Sequence, residues 1–278
     1  MVLGSKIEGY FTRISHSFKN AMESIYALIR KRARQIVAQY PRPVFYAEHR
    51  EAQIMSRTLF DEDAFIAQIK TFVTRTVEHD FGHGLEHSFK VAVDAGALIF
   101  VEAPYLDASP EQIRRLALLA QVSGLLHDLK RKLAHHALKG AAFSRHVLNG
   151  APLNSEEKAT IFEAIKNHEA FRSHSAEQPA GRTPVSDCLY DADKFRWGPD
   201  NFADTVWDMV AFSQTPISRF IEVYPMGMEM LARIKDTFRS ETGRRYGPEF
   251  IDLGLMIGEE LYEVIMNEFA PRLCHLGI

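Results

Sequence analysis

His127 and Asp128 stand side by side at the end of a run, Leu116 to Leu126, made almost entirely of Leu, Ala and Val. Burying either side chain without a partner is expensive, because a charge or an unpaired polar group loses its water. A helix as apolar as 116–126 is expected to be covered on most of its sides. The doublet is therefore expected at the floor of a site. A metal cation is the simplest partner for an imidazole and a carboxylate placed there.

Four more residues of ligand type fall on the apolar stripes of their own segments, where residues three and four apart share a helix face. His87 is in line with Val91, Asp94, Ala95 and Leu98. His136 lines up with Gly140, Phe143 and Val147, His168 follows Ile161, Ala164 and Ile165, and Asp193 follows Leu189. His127 itself follows Leu116, Ala120 and Ser123. One inward histidine is more often a hydrogen-bonded core residue than a ligand. Six such residues would burden a core with several buried ionisable groups, and a shared cation accounts for all of them.

The elements that must carry these residues read as helices almost throughout, and the expected class is all-α. Residues 10–40 form one amphipathic helix, with Phe11, Ile14, Phe18, Met22, Ile25 and Ile29 recurring every three or four, ended by Pro41-Arg42-Pro43. Asp61 opens a second helix, and a break follows at His79–Gly84. Residues 85–102 make the next. Ser109-Pro110-Glu111-Gln112 is a start signal for the helix that ends in the doublet. Further helices are expected from about Ala134 to Leu148, from Asn154 to His168, and around Leu189–Phe195, with a polar loop over 172–184. Residues 200–275 are helical again, broken near Pro216, Pro225 and Gly243–Pro248. Residues 1–55 read as a helical appendage packing on a main domain of residues 56–278, with no flexible linker between them.

Composition excludes more than it selects. The 278 residues carry 33 Lys and Arg against 36 Asp and Glu, a net charge of −3, so no global charge calls for nucleic acid or a membrane surface. There is no run of about 18 apolar residues and no signal-peptide pattern. The two cysteines, Cys188 and Cys274, form no CxxC pair and no disulfide framework, which fits a cytoplasmic location. Oligomeric state is left open. The run Arg30-Lys31-Arg32-Ala33-Arg34 reads as a solvated helix face or, less readily, as a contact for an acidic partner.

The order His…His-Asp…His…His…Asp resembles the HD superfamily of metal-dependent phosphohydrolases. Local context carries the resemblance over about residues 80–200. Gly82-His83-Gly84-Leu85-Glu86-His87-Ser88-Phe89-Lys90-Val91 is similar to the family's opening segment, and Leu125-Leu126-His127-Asp128 to its eponymous motif. His136-Ala137-Leu138-Lys139-Gly140-Ala141, Ala164-Ile165-Lys166-Asn167-His168 and Tyr190-Asp191-Ala192-Asp193-Lys194-Phe195 are similar to the segments that follow. Two features depart from the pattern. Gly84 stands where some relatives have Asp, and His168-Glu169 replaces the His-His pair of the cyclic-dinucleotide phosphodiesterases, whose Gly-Tyr-Pro signature is also missing.

The resemblance implies an HD-domain, phosphodiesterase-like helical bundle with additional N- and C-terminal helices. It implies one or two divalent transition-metal ions: Fe, Mn, Zn, Ni or Co. His87, His127, Asp128 and Asp193 would hold the first, and Asp128 would bridge to a second held by His136 and His168. Asp191 is a rival to Asp193, which the alignment of the motif favours. The implied reaction is hydrolysis of a phosphomonoester or phosphodiester, with a nucleotide as the expected substrate, through metal-activated water and with Asp128 at its centre. Lys130, Arg131 and Lys194 are candidate cations for the phosphate, with solvated basic helix ends as the alternative reading. His83 is a candidate at the rim, or packs in its loop. Phe195, Arg196 and Trp197 line the pocket or belong to the core. Two rival functions share the pattern: a di-iron HD-type oxygenase acting on a small polar substrate, and a non-catalytic HD ligand sensor.

Overall fold

The computed structural model describes residues 25–78, 84–171 and 183–271. Among them there are helices and turns and no strand, so the chain is all-α. The first helix, α1, is described over 25–37. It is followed by α2 (Val44–Glu48), α3 (Arg50–Glu62), α4 (Ala64–Glu78), α5 (Leu85–Glu102), α6 (Pro110–Leu126), α7 (His136–Val147), α8 (Ser155–Lys166) and α9 (Pro184–Phe195). The C-terminal third holds α10 (Val206–Ser213), α11 (Ile217–Ile234) and α12 (Glu241–Val264). Short π-helical turns occupy Asn201–Thr205 and Ile265–Phe269.

Cap chemistry explains the helix starts around the doublet. Ser109 and Gln112 form a reciprocal capping box on α6, with Pro110 at the first position. Asn154 and Glu157 do the same on α8. Thr183 accepts the Ser186 N–H at 3.1 Å to start α9.

Several boundaries differ from the sequence reading. Asp61 lies in the last turn of α3 and opens nothing. Asp63 is the residue in extended conformation, and its Oδ1 accepts the Phe65 and Ile66 N–H groups to start α4. The helix expected from about Ala134 begins at His136, behind His135 in the left-handed region at φ 57°. α8 ends at Lys166, so His168 sits just past its cap residue Asn167. Pro225 and Pro248 lie inside α11 and α12 and break neither. Each proline forfeits one helical hydrogen bond. The helices run on because their apolar faces are buried: Phe220, Tyr224, Leu231 and Ile234 on α11, Phe250, Ile251, Ile257 and Leu261 on α12.

The chain divides into two compact units. One comprises Arg42–Gly198 with Ala232–Asp252, and the other Met1–Pro41, Pro199–Leu231 and Leu253–Ile278. The division falls at 41/42, 198/199, 231/232 and 252/253, the last two within α11 and α12, whereas the sequence reading drew one boundary at 55/56.

In the unit of residues 42–198 and 232–252, α5 is central and packs against α3, α6 and α9, while α8 packs against α6, α7 and α9. The α5–α6 crossing is close because Gly124 lacks a side chain. A Cβ there would stand 2.6 Å from Ala92 Cα. At the far end of α9, Phe195 stacks on Phe250 with centroids 4.0 Å apart, and Phe45 tilts against both. Burying each ring contributes about 1.5–3 kcal/mol. Beside them Arg196 pairs with Asp94, whose carboxylate also accepts from the Tyr46 hydroxyl at 2.8 Å. Phe195 and Arg196 are therefore core residues, while Trp197 is half-buried.

In the other unit the basic run of α1 is engaged. Arg30 and Arg34 bind Asp204 at 3.1 and 2.8 Å, and Arg32 binds Glu268 at 2.8 Å. Both acids lie in the π-helical turns, where the widened backbone offers them to α1. Lys31 and Arg34 of the run are exposed, and its arginines pair with acids of their own unit. No helix among the described residues is long and apolar enough to cross a membrane.

Candidate metal centre

Five helices deliver the candidate ligands to one place in the unit of residues 42–198 and 232–252. His87 lies in the first turn of α5, and His127 and Asp128 follow the last residue of α6. His136 opens α7, His168 follows α8, and Asp193 lies in the last turn of α9. Helix ends suit this task, because there the chain can leave the helical path and aim a side chain sideways.

The six residues form two cages that share one carboxylate. In the first, His87 Nε2 is 3.3 Å from His127 Nε2 and 3.3 Å from Asp193 Oδ1. His127 Nε2 is 3.7 Å from Asp193 Oδ1 and 3.7 Å from Asp128 Oδ2, and His87 Nε2 is 3.9 Å from the same Asp128 oxygen. In the second, the other oxygen of Asp128, Oδ1, is 3.5 Å from His168 Nε2 and 3.8 Å from His136 Nε2. Donor atoms of His87, His127 and Asp128 all lie within 4.8 Å of one another, as do those of Asp128, His136 and His168. Ligands held about 2.0–2.2 Å from a transition metal stand roughly 3–3.5 Å apart, so modest contraction around an ion brings either cage to bonding geometry. These groups can hold a metal ion.

The imidazoles are oriented for that purpose. His127 Nδ1 is 2.7 Å from the Gly124 carbonyl and His168 Nδ1 is 2.6 Å from the Ile165 carbonyl. A carbonyl only accepts, so each Nδ1 carries the proton and each Nε2 presents its lone pair to the cage. His136 Nδ1 lies 2.9 Å from Glu169 Oε1. His87 Nδ1 is buried with no partner among the described residues.

Charge in the site is arranged against bulk expectation. Burial works to raise the Asp128 carboxyl, but His127, His168 and Arg131 outweigh it and hold it well below the usual carboxylate range. Burial likewise works against Asp193, and Lys194, His127 and His87 pull it well below. Burial lowers His87 despite Asp193, and lowers His136 to about 4 despite Asp128. Only His127 is raised: burial opposes its charge, but Asp128 and Asp193 prevail. Two carboxylates thus face the Nε2 of His127, and a divalent cation is a partner that would offset their charge.

The three candidate phosphate cations fare differently. Lys194 is buried, with Nζ on Asp193 Oδ2 and 3.1 Å from the His168 carbonyl. Its charge is held inside the cage wall, which makes it a positioning residue for Asp193 and not a phosphate contact. Lys130 Nζ sits 3.7 Å over the Phe143 ring. Arg131 places Nη1 3.3 Å from Asp128 Oδ2 with its side chain 44% exposed, so it alone of the three is both at the cage and open to solvent. Asp191 turns away from the cages: its carboxylate accepts the Arg239 and Ser240 N–H groups, both at 2.8 Å, before α12. His83 and residues 172–182 of the expected loop lie outside the described residues.

Glu169 and Arg239 were not singled out by sequence reasoning. Arg239 Nη1 donates to the Asn167 carbonyl at 2.9 Å, so with Lys194 it fastens the turn that carries His168. The only sequence signal for Glu169 was its place beside a candidate ligand, and nothing in the pattern linked it to His136. No protein-family model matches the chain, and neither a curated protein nor a solved structure matches it significantly.

Proposed function

We propose that this chain is a metal-dependent phosphohydrolase of the HD type, acting on a phosphomonoester or phosphodiester, with a nucleotide the expected substrate. The observation that carries the reading is the division of Asp128: one carboxylate oxygen faces His87 and His127, the other His136 and His168. That arrangement suits a pair of ions bridged by a carboxylate, and its imidazole-rich donor set suits Fe, Mn, Zn, Ni or Co. The second ion, its metal identity and the hydrolytic chemistry are parts of the proposal.

When bound, such ions supply Lewis acidity for the phosphoryl oxygens and lower the pKa of bound water towards about 7. The chain's own residues do the rest. Asp128 and Asp193, both held ionised, would act as ligands, and Asp128 would orient the ions and is placed to take a proton. Lys194 holds Asp193 by the oxygen turned away from the imidazoles. Arg131 stands on the open side, where its guanidinium can exchange Asp128 for a non-bridging phosphoryl oxygen and offset charge building up there. Water adds to phosphorus, the ester P–O bond breaks, and the proton given up by the water ends on the leaving oxygen, so that ester and water become alcohol and phosphate.

The test is a phosphoester panel with metal-loaded protein, run beside Asp128→Ala and His127→Ala. Hydrolysis that both substitutions abolish supports the proposal. A protein that loads iron, shows a half-reduced electron paramagnetic resonance signal and hydrolyses nothing belongs instead to the di-iron oxygenase reading. Metal-loaded protein with neither property returns the chain to the ligand-sensor reading.

A further inference from the structure

The four imidazoles are not held alike. His127 and His168 each rest Nδ1 on the carbonyl three residues back, at the C-terminal end of the helix that leads into them. A helix's last carbonyls lack partners, so this clamp comes with the position. His136 has no such carbonyl. It is the first residue of α7, behind His135 in the left-handed region, and Leu133 three residues back lies in a turn. Its side chain is 27% exposed, against 0% for His127 and 4% for His168. What meets its Nδ1 is a side chain from another element, Glu169 Oε1 at 2.9 Å.

Glu169 is itself placed by the second cage. It follows His168 directly, in a turn fastened by Lys194 on the His168 carbonyl and Arg239 on the Asn167 carbonyl. The two cations flank the Tyr190 ring, Arg239 at 3.5 Å and Lys194 at 4.8 Å from its centroid. A short, fixed segment thus supplies one imidazole of the cage and orients the other.

We propose that Glu169 is a positioning residue for the second cation site: accepting the His136 Nδ1–H, it fixes the ring with Nε2 directed at Asp128 Oδ1. Occupancy of the His136–His168 cage depends on it, and occupancy of the His87–His127 cage does not. This inference rests on the two-ion reading above. Partners of this kind typically change metal affinity by about 10–100-fold when removed. The carboxylate can be replaced here by an amide oxygen, which accepts the same hydrogen bond, but not by a methyl group.

The experiment is a Co²⁺ titration of metal-free wild type, Glu169→Ala and Glu169→Gln, followed by calorimetry and visible absorption. Wild type should bind two ions. Glu169→Ala should weaken the second by about 10–100-fold and leave the first within about twofold, and Glu169→Gln should recover most of the loss. Unchanged second-site affinity in Glu169→Ala, equal weakening of both sites, or no recovery in Glu169→Gln each overturns the inference while leaving the two-ion reading intact. A wild type that binds one ion overturns the inference together with the second cage, and one that binds none sinks the proposed function itself. If Glu169→Ala does not fold, long-range ¹H–¹⁵N spectra of histidine-labelled, metal-free wild type decide. A His136 ring protonated at Nδ1 supports the clamp, and one protonated at Nε2 overturns it.

Discussion

The two cages share Asp128 but are built by different means. The first is lined by residues of α5, α6 and α9, helices that pack on one another through the centre of their unit. It has oxygens from two carboxylates, and one of these is gripped from behind by a buried lysine. The second has one carboxylate oxygen, an imidazole at the start of α7, and another in the turn after α8. α7 does approach closely: a Cβ on Gly140 would lie 3.1 Å from the His127 carbonyl. Yet its ligand still needs a side chain to orient it. Both cages lie at helix ends, and the difference teaches that buried ligands with a buried lysine behind one carboxylate can preset a cage, whereas a partly exposed ligand at the start of α7 depends on a polar contact beyond the ligands. The first cage is accordingly expected to bind its ion more tightly.

The most severe break is at the shared residue. Asp128→Asn keeps the shape and removes the charge that both cages use, so both ions are expected to be lost. If the proposed function holds, metal per chain should fall from about two to below one, and phosphoester hydrolysis by more than about 100-fold, beyond the usual cost of losing an outer partner. A variant that keeps one tight ion would show that the cages are not joined through Asp128. The comparison is sharpened by single-cage variants. His136→Ala should retain one ion at wild-type affinity, whereas His87→Ala should lose the tighter one. If His136→Ala releases both, the cages are one cooperative unit and the contrast drawn above is wrong.

Lys194 tests the inner wall of the first cage. Replacing it by Met leaves Asp193 buried without its cation, a loss of the kind that costs about 3–5 kcal/mol. Urea unfolding of metal-free Lys194→Met should show a deficit of that order, reduced when a divalent ion is added and shares the Asp193 charge. A deficit that metal does not reduce would mean that Lys194 serves the His168 turn more than the cage.

Five of the six candidate positions were legible because each is a polar residue on an apolar stripe, a property of one helix, and Asp128 was legible as the neighbour of His127 at the end of an apolar run. The caps on α6 and α8 were legible for the same local reason. What escaped was tertiary. A lysine after a ligand reads as a cation for phosphate, and only the fold shows Lys194 turning inward to Asp193. Glu169 meets His136 across thirty-three positions that no periodicity links. Pro225 and Pro248 read as breaks, because local rules cannot weigh the buried faces that keep α11 and α12 intact.

Asp191 supplies the mildest test, as a buried carboxylate on the same helix as Asp193 that faces neither cage. Burial pushes its carboxyl up to about 6, although hydrogen bonds from Ser240 and Arg239 favour the ionised form. Its ordinary value is 3.8, so the folded chain holds this proton more tightly than the unfolded chain. The stabilisation is therefore present in full below pH 3.8 and is lost as pH rises through about 6. The shift corresponds to about 3 kcal/mol across that window. Asp191→Asn cannot titrate, so the difference in unfolding free energy between it and the metal-free wild type should change by that order between pH 4 and pH 6.5 and be flat on either side. Metal content should remain that of wild type. A loss of either ion in Asp191→Asn would mean that the α12 start it caps holds Arg239, and through it the His168 turn, in place, and the cages would then depend on each other through α9 as well as through Asp128.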